Sequence, residues 1–228
     1  MIAILCALDI EAQKYLDIVE NPVEEELYGY RFVSGRLQGR DVVVVRCGMG
    51  KVNAALCAQT LIIRYHPELV INSGVAGSLS PKLSICDIVI GTDAVQHDVD
   101  STALGDPIGM VSTVNKTYFP CDERAGEILL RAAEKLGIHA VRDRIASGDQ
   151  FIAEKEKKSW IVDTFAAAAC EMEGGAIAQV CYVDKVPCVI LRAISDSTDG
   201  KHSMEYEQFM GIAAENSCRV LTEALKDL

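Results

Sequence analysis

The chain has 228 residues, half of them hydrophobic and 24% charged, with a formal net charge of −11. That balance describes an ordinary globular protein with enough chain for one large core, and the acidity argues against nucleic acid or anionic membrane as the main partner. No run offers the ~20 apolar residues of a membrane span, and the apolar opening "MIAILCAL" lacks a basic flank, so neither a span nor a signal peptide is expected.

In chain order, the continuous apolar run from Ile2 to Leu8 predicts a strand buried on both faces. A helix follows from Asp9, its candidate cap, to about Glu20. Residues 28–48 read as a hairpin with its turn near Gln38 to Arg40. A helix over 51–66 stops before Pro67, and "ELVINSG" is the next buried strand. Residues 87–96 predict another strand, and His97 to Pro120 is loop-rich, punctuated by Gly105, Pro107 and Gly109. Then come a helix over 122–136, a strand through "VRDRIASGD", a helix near 153–163 and a strand into "ACEM", whose alanines fit a helix equally well by propensity. A helix over 174–184, the strand "PCVILRAIS" and a helix over 204–226 complete the series. Such alternation predicts one α/β domain spanning 1–228, with a mixed, mostly parallel central sheet flanked by helices.

Nine cysteines, with no C-x-x-C pair and most of them inside apolar runs, fit small core residues in a reducing compartment, so the cytoplasm is the expected location. His66, His97, His139 and His202 are too dispersed for a ligand set, and no metal site is expected.

In open α/β folds ligands bind beyond the carboxyl ends of strands. Those positions deliver Asp9 and Glu11, "CGMGK", "VAGS", "QFI", Glu173 and Asp196. The glycine loops lack phosphate-cradle and dinucleotide spacing, so by default they are tight turns. Each carboxylate also has a structural reading: Glu11 and Glu173 in first helical turns, Asp196 as a helix cap in "SDSTDG". Together they matter more, because one sheet would set three apolar strand ends side by side. Glu171 and Glu173 flank Met172 at the head of an apolar segment, where an unpaired buried carboxylate is costly.

The motifs "GMGKVNAA", "VINSGVAGSL", "SGDQFI", "CEMEGGAIAQVC" and "VILRAISDSTDG" occur in the order and spacing of the nucleoside phosphorylase superfamily. From Ile2 to the C-terminal helix the chain resembles the 5′-methylthioadenosine/S-adenosylhomocysteine nucleosidases. The resemblance implies hydrolysis of the N-glycosidic bond, releasing adenine and a thioribose, without metal or organic cofactor. It implies Asp196 as the general acid at purine N7, needing a raised pKa, and Glu11 as the group that positions and deprotonates water. Met172 would lie under the sugar while Glu173 holds its hydroxyls and supports the ribosyl cation. Phe151 would stack on the purine, Ile152 would bond it through backbone, and Met49, Val75 and Ser195 would complete the substrate contacts. Arg192 is a partner for nearby carboxylates, and Glu171 is left open between a site-facing and a structural role. Leu8, Leu104 and Phe209 are assigned to a 5′ pocket that the neighbour in a homodimer completes.

Phosphorylases of the superfamily carry an arginine where this chain has Asn72, and an arginine-bearing loop where it has "ALDIEA". An acidic pocket repels phosphate, so a hydrolase is expected. Two departures stand out: Val75 replaces a usual serine and Ser78 a second glycine, and the loop after His97 carries Asp106 in "GDPIG". They keep open a nucleosidase for another 5′ substituent, such as aminodeoxyfutalosine, and a non-catalytic nucleoside-binding protein.

Overall fold

The computed structural model describes residues 1–196 and 202–228, the side chains of 202–208 excepted. In chain order the elements are β1 (Ile2–Cys6), α1 (Asp9–Leu16), β2 (Glu20–Leu27), β3 (Tyr30–Leu37), β4 (Arg40–Arg46), α2 (Lys51–Tyr65), β5 (Leu69–Ser78) and β6 (Ile88–Gln96). After them come β7 (Tyr118–Pro120), α3 (Glu123–Lys135), β8 (Ala140–Ser147), α4 (Lys155–Phe165), β9 (Ala169–Glu171), α5 (Gly174–Asp184), β10 (Cys188–Asp196) and α6 (His202–Ala224).

Apolar runs form the centre because a strand with neighbours on both sides and helices on both faces has no polar side to offer. β1 and β10 are buried at every residue, and β5 at all but one. β1 runs parallel between β4 and β5. β10 joins β5 in parallel and β6 in antiparallel sense, β6 and β8 are parallel, and β9 runs parallel to β8 and antiparallel to β5. Strands β5, β10, β6, β8 and β9 therefore close a ring, from which β1, β4, β3 and β2 extend as an open wing. The mixed sheet is thus parallel from β4 through β1 and β5 to β10. α6 packs on β10 and β5, and α2 packs on α5.

β5 overruns its expected end: "VAGS", read as a tight turn, is strand to Ser78 because β10 and β9 pair with it. Two other elements differ from the sequence expectation. The helix from Asp9 ends at Leu16, and Glu20–Leu27 forms an edge strand. "ENPVEEEL" is charged and lacks alternation, so it carries no strand signal of its own. Pairing with β3 makes it a strand, through a Tyr28–Gly29 turn with both residues at positive φ. Glu24 meets a cation on the partner strand, Arg31, whose Nε donates to it at 2.9 Å, and Glu25 accepts from Arg64 and Tyr65 on α2. The second difference is β7, which the loop-rich reading of His97 to Pro120 passed over. Three residues are too few for a periodic signal, and β6 supplies their register. The hairpin turn at Gln38–Gly39, with both residues at positive φ, falls where the sequence placed it. "ACE" is a strand rather than a helix because β8 and β5 hold it from either side.

α3 begins at a side-chain cap: Asp122 accepts from the backbone N–H of Ala125 at 2.8 Å. Asp122→Ala is expected to lower stability by about 1 kcal/mol in urea denaturation, and Asp122→Asn to recover most of it.

Candidate active site

The strand ends around β5 and β10 surround an open cavity of about 590 Å³, including its solvent-side space. Leu8, Glu11, Met49, Val75, Phe151, Ile152, Met172, Glu173, Arg192, Ser195 and Asp196 all line it. Leu104 and Phe209 do not: Leu104 is 86% exposed on a 3-10 turn, and Phe209 is half-buried on α6. Within one chain, then, Leu8 alone of the three residues expected in a 5′ pocket lines the cavity. Gly77, Cys170, Gln150 and Glu171 are lining residues that the sequence reading did not assign to the cavity.

Glu11 sits in the first turn of α1, so its structural reading holds, yet its carboxylate also crosses to β5. Oε2 accepts from the N–H groups of Ala7 at 3.0 Å and Leu8 at 2.9 Å, and Oε1 accepts from Val75 N–H at 2.9 Å. Burial raises its pKa, opposed by the Arg192 charge and these backbone donors. Glycine before Val75 leaves room for these side chains to meet. A Cβ on Gly74 would lie 2.5 Å from both Glu11 Oε1 and Arg192 Nη1. The departure at Val75 leaves this contact intact, because the backbone makes it. Ser78 turns its hydroxyl to the carbonyl of Ser80 at 2.9 Å and is not a lining residue.

Glu171 and Glu173 have different roles. Glu171 is held by Arg192 and Ser147, and it accepts from the N–H groups of Glu173 at 3.0 Å and Gly174 at 2.8 Å. It therefore neutralises a buried guanidinium and caps the start of α5, where the helix dipole favours an anion. Glu173 accepts from Gly50 N–H at 2.9 Å and lies 3.5 Å from Arg192 Nη2. Burial and the neighbouring Glu171 carboxylate push its pKa up to about 7, against the pull of Arg192 and the Gly50 N–H. "GMGK" is therefore the tight turn of the default reading and also a backbone donor to the site.

Arg192 also donates to Asn72, which accepts through Oδ1 and itself donates to Leu5 O at 3.1 Å. Asn72 thus anchors the buried cation.

Asp196 ends β10, and the residues it would cap in "SDSTDG", 197–200, lie outside the described residues. The β5–β10 register slips between Ile194 and Asp196, leaving Ser195 as the extra residue, and such a bulge re-aims the side chains beside it. Ser195 Oγ donates to Asp196 Oδ1 at 3.1 Å, and Gly77 permits the close approach, since its Cβ would lie 3.0 Å from Oδ2. Among the described residues, the cation beside Asp196 is Lys158 at 3.5 Å rather than Arg192, and the sequence reading missed it. A lysine inside a polar helix segment carries no signal of burial.

Four carboxylates from three strand ends thus meet in one cavity, with an aromatic ring at its mouth and no metal-ligand cluster among the described residues. A sequence model of the Phosphorylase superfamily matches residues 1–226. A 5′-methylthioadenosine/S-adenosylhomocysteine nucleosidase of Shewanella halifaxensis is 36% identical over all of this chain and 99% of its own length. Among solved structures, the enzyme of that name from Neisseria meningitidis, bound to methylthio-immucillin-A, is 35% identical and superposes with a TM-score of 0.96 over all of this chain and 99% of the other. A futalosine hydrolase of Helicobacter pylori is 34% identical, with a TM-score of 0.94 over all of this chain and 97% of the other. The chain belongs to the phosphorylase superfamily and, within it, to the family of 5′-methylthioadenosine/S-adenosylhomocysteine nucleosidases.

The raised pKa of Glu173 makes a stability prediction. Its folded value lies above its unfolded one, so the folded state holds the extra proton and loses stability as pH climbs from about 4.5 to about 7. Glu173→Gln removes that loss. Its melting temperature relative to wild type is expected to rise across this window, by the equivalent of up to ~3 kcal/mol, in calorimetry at a series of pH values.

Proposed function

We propose that this protein hydrolyses the N-glycosidic bond of 5′-methylthioadenosine and S-adenosylhomocysteine, releasing adenine and a 5-thioribose. The observation that carries the reading is the convergence of Glu11, Glu173 and Asp196 on the cavity that Phe151 and Met172 also line. Breaking the bond leaves positive charge on the ribosyl ring and negative charge on the purine. Two buried carboxylates stabilise the first, and a carboxylic acid relieves the second. Glu11 accepts a proton from the attacking water, and its raised pKa suits it as a base. Asp196 donates to N7. Glu173 holds the ribose hydroxyls, Met172 packs under the sugar, and Phe151 and Ile152 receive the purine.

Water rather than phosphate is the nucleophile in this reading. Arg192 is the one cation among the described lining residues, and Glu171 and Asn72 already engage it. A phosphate dianion would meet an acidic cavity. The second reading, a nucleosidase for an adenosine with another 5′ group, draws support from the likeness to the Helicobacter pylori futalosine hydrolase. No organic or metal cofactor is needed, since proton transfer and fixed charges supply the chemistry.

The same reading takes residues 1–228 as one domain, places the enzyme in the cytoplasm and gives it a role in methionine salvage. Support for a reducing compartment is that all nine cysteines are free thiols, eight of them buried. We also take the active form to be a homodimer. Val52, Leu56 and Ile63 present an exposed apolar stripe on one face of α2, and Leu104 stands exposed where it would be free to complete a neighbour's 5′ pocket.

Adenine release from 5′-methylthioadenosine, S-adenosylhomocysteine and inosine, with and without phosphate, tests the reaction. Release from the first two without phosphate is expected, and turnover that depends on phosphate would contradict it. Glu11→Gln and Asp196→Asn are each expected to lower kcat by about 10²–10⁴-fold while the protein stays folded. For the dimer, Leu56→Glu should shift the mass in sedimentation from twice 24.7 kDa to 24.7 kDa and raise KM. Wild type sedimenting as a monomer rules the dimer out.

A further inference from the structure

α4 turns Lys158, Ile161 and Phe165 to the core. The second and third are what a buried helix face needs, and Lys158 is not. Its side chain is 5% exposed, and its ammonium lies 3.5 Å from Oδ2 of Asp196, whose side chain is 3% exposed. Desolvating two charges costs about as much as their attraction returns, so a buried ion pair adds little stability over apolar side chains of the same volume. A methionine would fill this position without that penalty. The ammonium therefore calls for a reason other than packing, and its neighbour offers one.

Lys158 does not line the cavity, whereas Asp196 does. Oδ1 receives the Ser195 hydroxyl at 3.1 Å, and the lysine approaches from the Oδ2 side, where Gly77 leaves room. Resting on the nucleosidase reading, we propose that Lys158 is a positioning residue for that reaction: it fixes the carboxyl of Asp196 toward the purine. As Asp196 gives its proton to N7, the electron pair of the breaking C–N bond passes to the base, and the carboxylate left behind is the form an ammonium stabilises. Lys158 keeps its own protons throughout. The arrangement also links the acid to the purine-binding loop, because α4 follows directly after Phe151 and Ile152.

Among the described residues, the other titratable groups near the pair are Cys170 on β9 and Glu171 beyond it. Burial pushes the Cys170 thiol up to about 12, so it stays neutral, and Glu171 is committed to Arg192. β5 contributes Gly77 there, with no charge.

The test compares wild type with Lys158→Met and Lys158→Arg by kcat and KM for 5′-methylthioadenosine, with the melting temperature of each variant as the check on folding. A residue that fixes the acid acts on the bond-breaking step, so Lys158→Met is expected to lower kcat by about tenfold or more while KM changes by less than about twofold. Lys158→Arg should restore most of kcat. Lys158→Gln replaces the methionine variant, with the same expectation, should that variant not fold. A folded neutral variant with kcat unchanged, or one that loses only KM, overturns the proposal and leaves Lys158 a packing residue. Wild type that releases no adenine overturns the substrate reading instead.

Discussion

The site depends on one buried guanidinium. Arg192 lies on the central strand β10, is 1% exposed, and is surrounded by Glu171, Glu173, Asn72 and the Val75 carbonyl. Burial works against its charge, and Glu171, Glu173 and Glu11 more than offset that cost. The dependence is mutual. Three carboxylates gathered around one cavity with no cation among them would repel each other and take up protons, and an arginine buried without them would not stay buried. Glu171 settles most of the exchange by taking the guanidinium and the first N–H groups of α5 together, which leaves Glu11 and Glu173 to face the cavity.

This division of labour makes the cavity acidic without making it unstable. A site that generates a ribosyl cation benefits from fixed negative charge held ready before the reaction, since no reorganisation is then needed as the bond breaks. The carboxylates sit in unlike surroundings, and unlike surroundings separate acid from base. Glu11 is tied by three backbone donors and Glu173 by one, with a second carboxylate beside it, while among the described residues Asp196 is met by a hydroxyl and an ammonium. Glycines make the gathering possible. Gly74 lets Glu11 and Arg192 meet across β5, and Gly77 lets Asp196 lie against it.

Much of this was legible in the sequence, and the exceptions share a cause. β5 runs on through "VAGS", read as a turn, to Ser78, whereas other elements with a strong periodic or continuous apolar pattern, such as β1, β10 and α3, fall where pattern alone put them. β2 and β7 do not, because an acidic edge strand and a three-residue strand are specified by the partner they pair with. At the site, Glu11, Met172, Glu173 and Asp196 were readable because each follows an apolar strand or heads an apolar segment, and the sheet brings such ends together. Leu104 was assigned to a pocket from the loop it belongs to, and one chain leaves it in solvent.

The sequence by itself determined the alternation of strands and helices, the carboxylates at strand ends, the absence of metal-ligand spacing and the superfamily motifs. These are local properties, set by the order of side chains along a few residues. Tertiary structure alone decided that Glu171 serves Arg192 while Glu173 faces the cavity, although only Met172 separates them. It also set Lys158, which lies 38 positions earlier in the chain, beside Asp196. Charge pairing in a low-dielectric interior is governed by distance through space, and nothing in the neighbourhood of a residue along the chain encodes which distant opposite charge the fold will set against it.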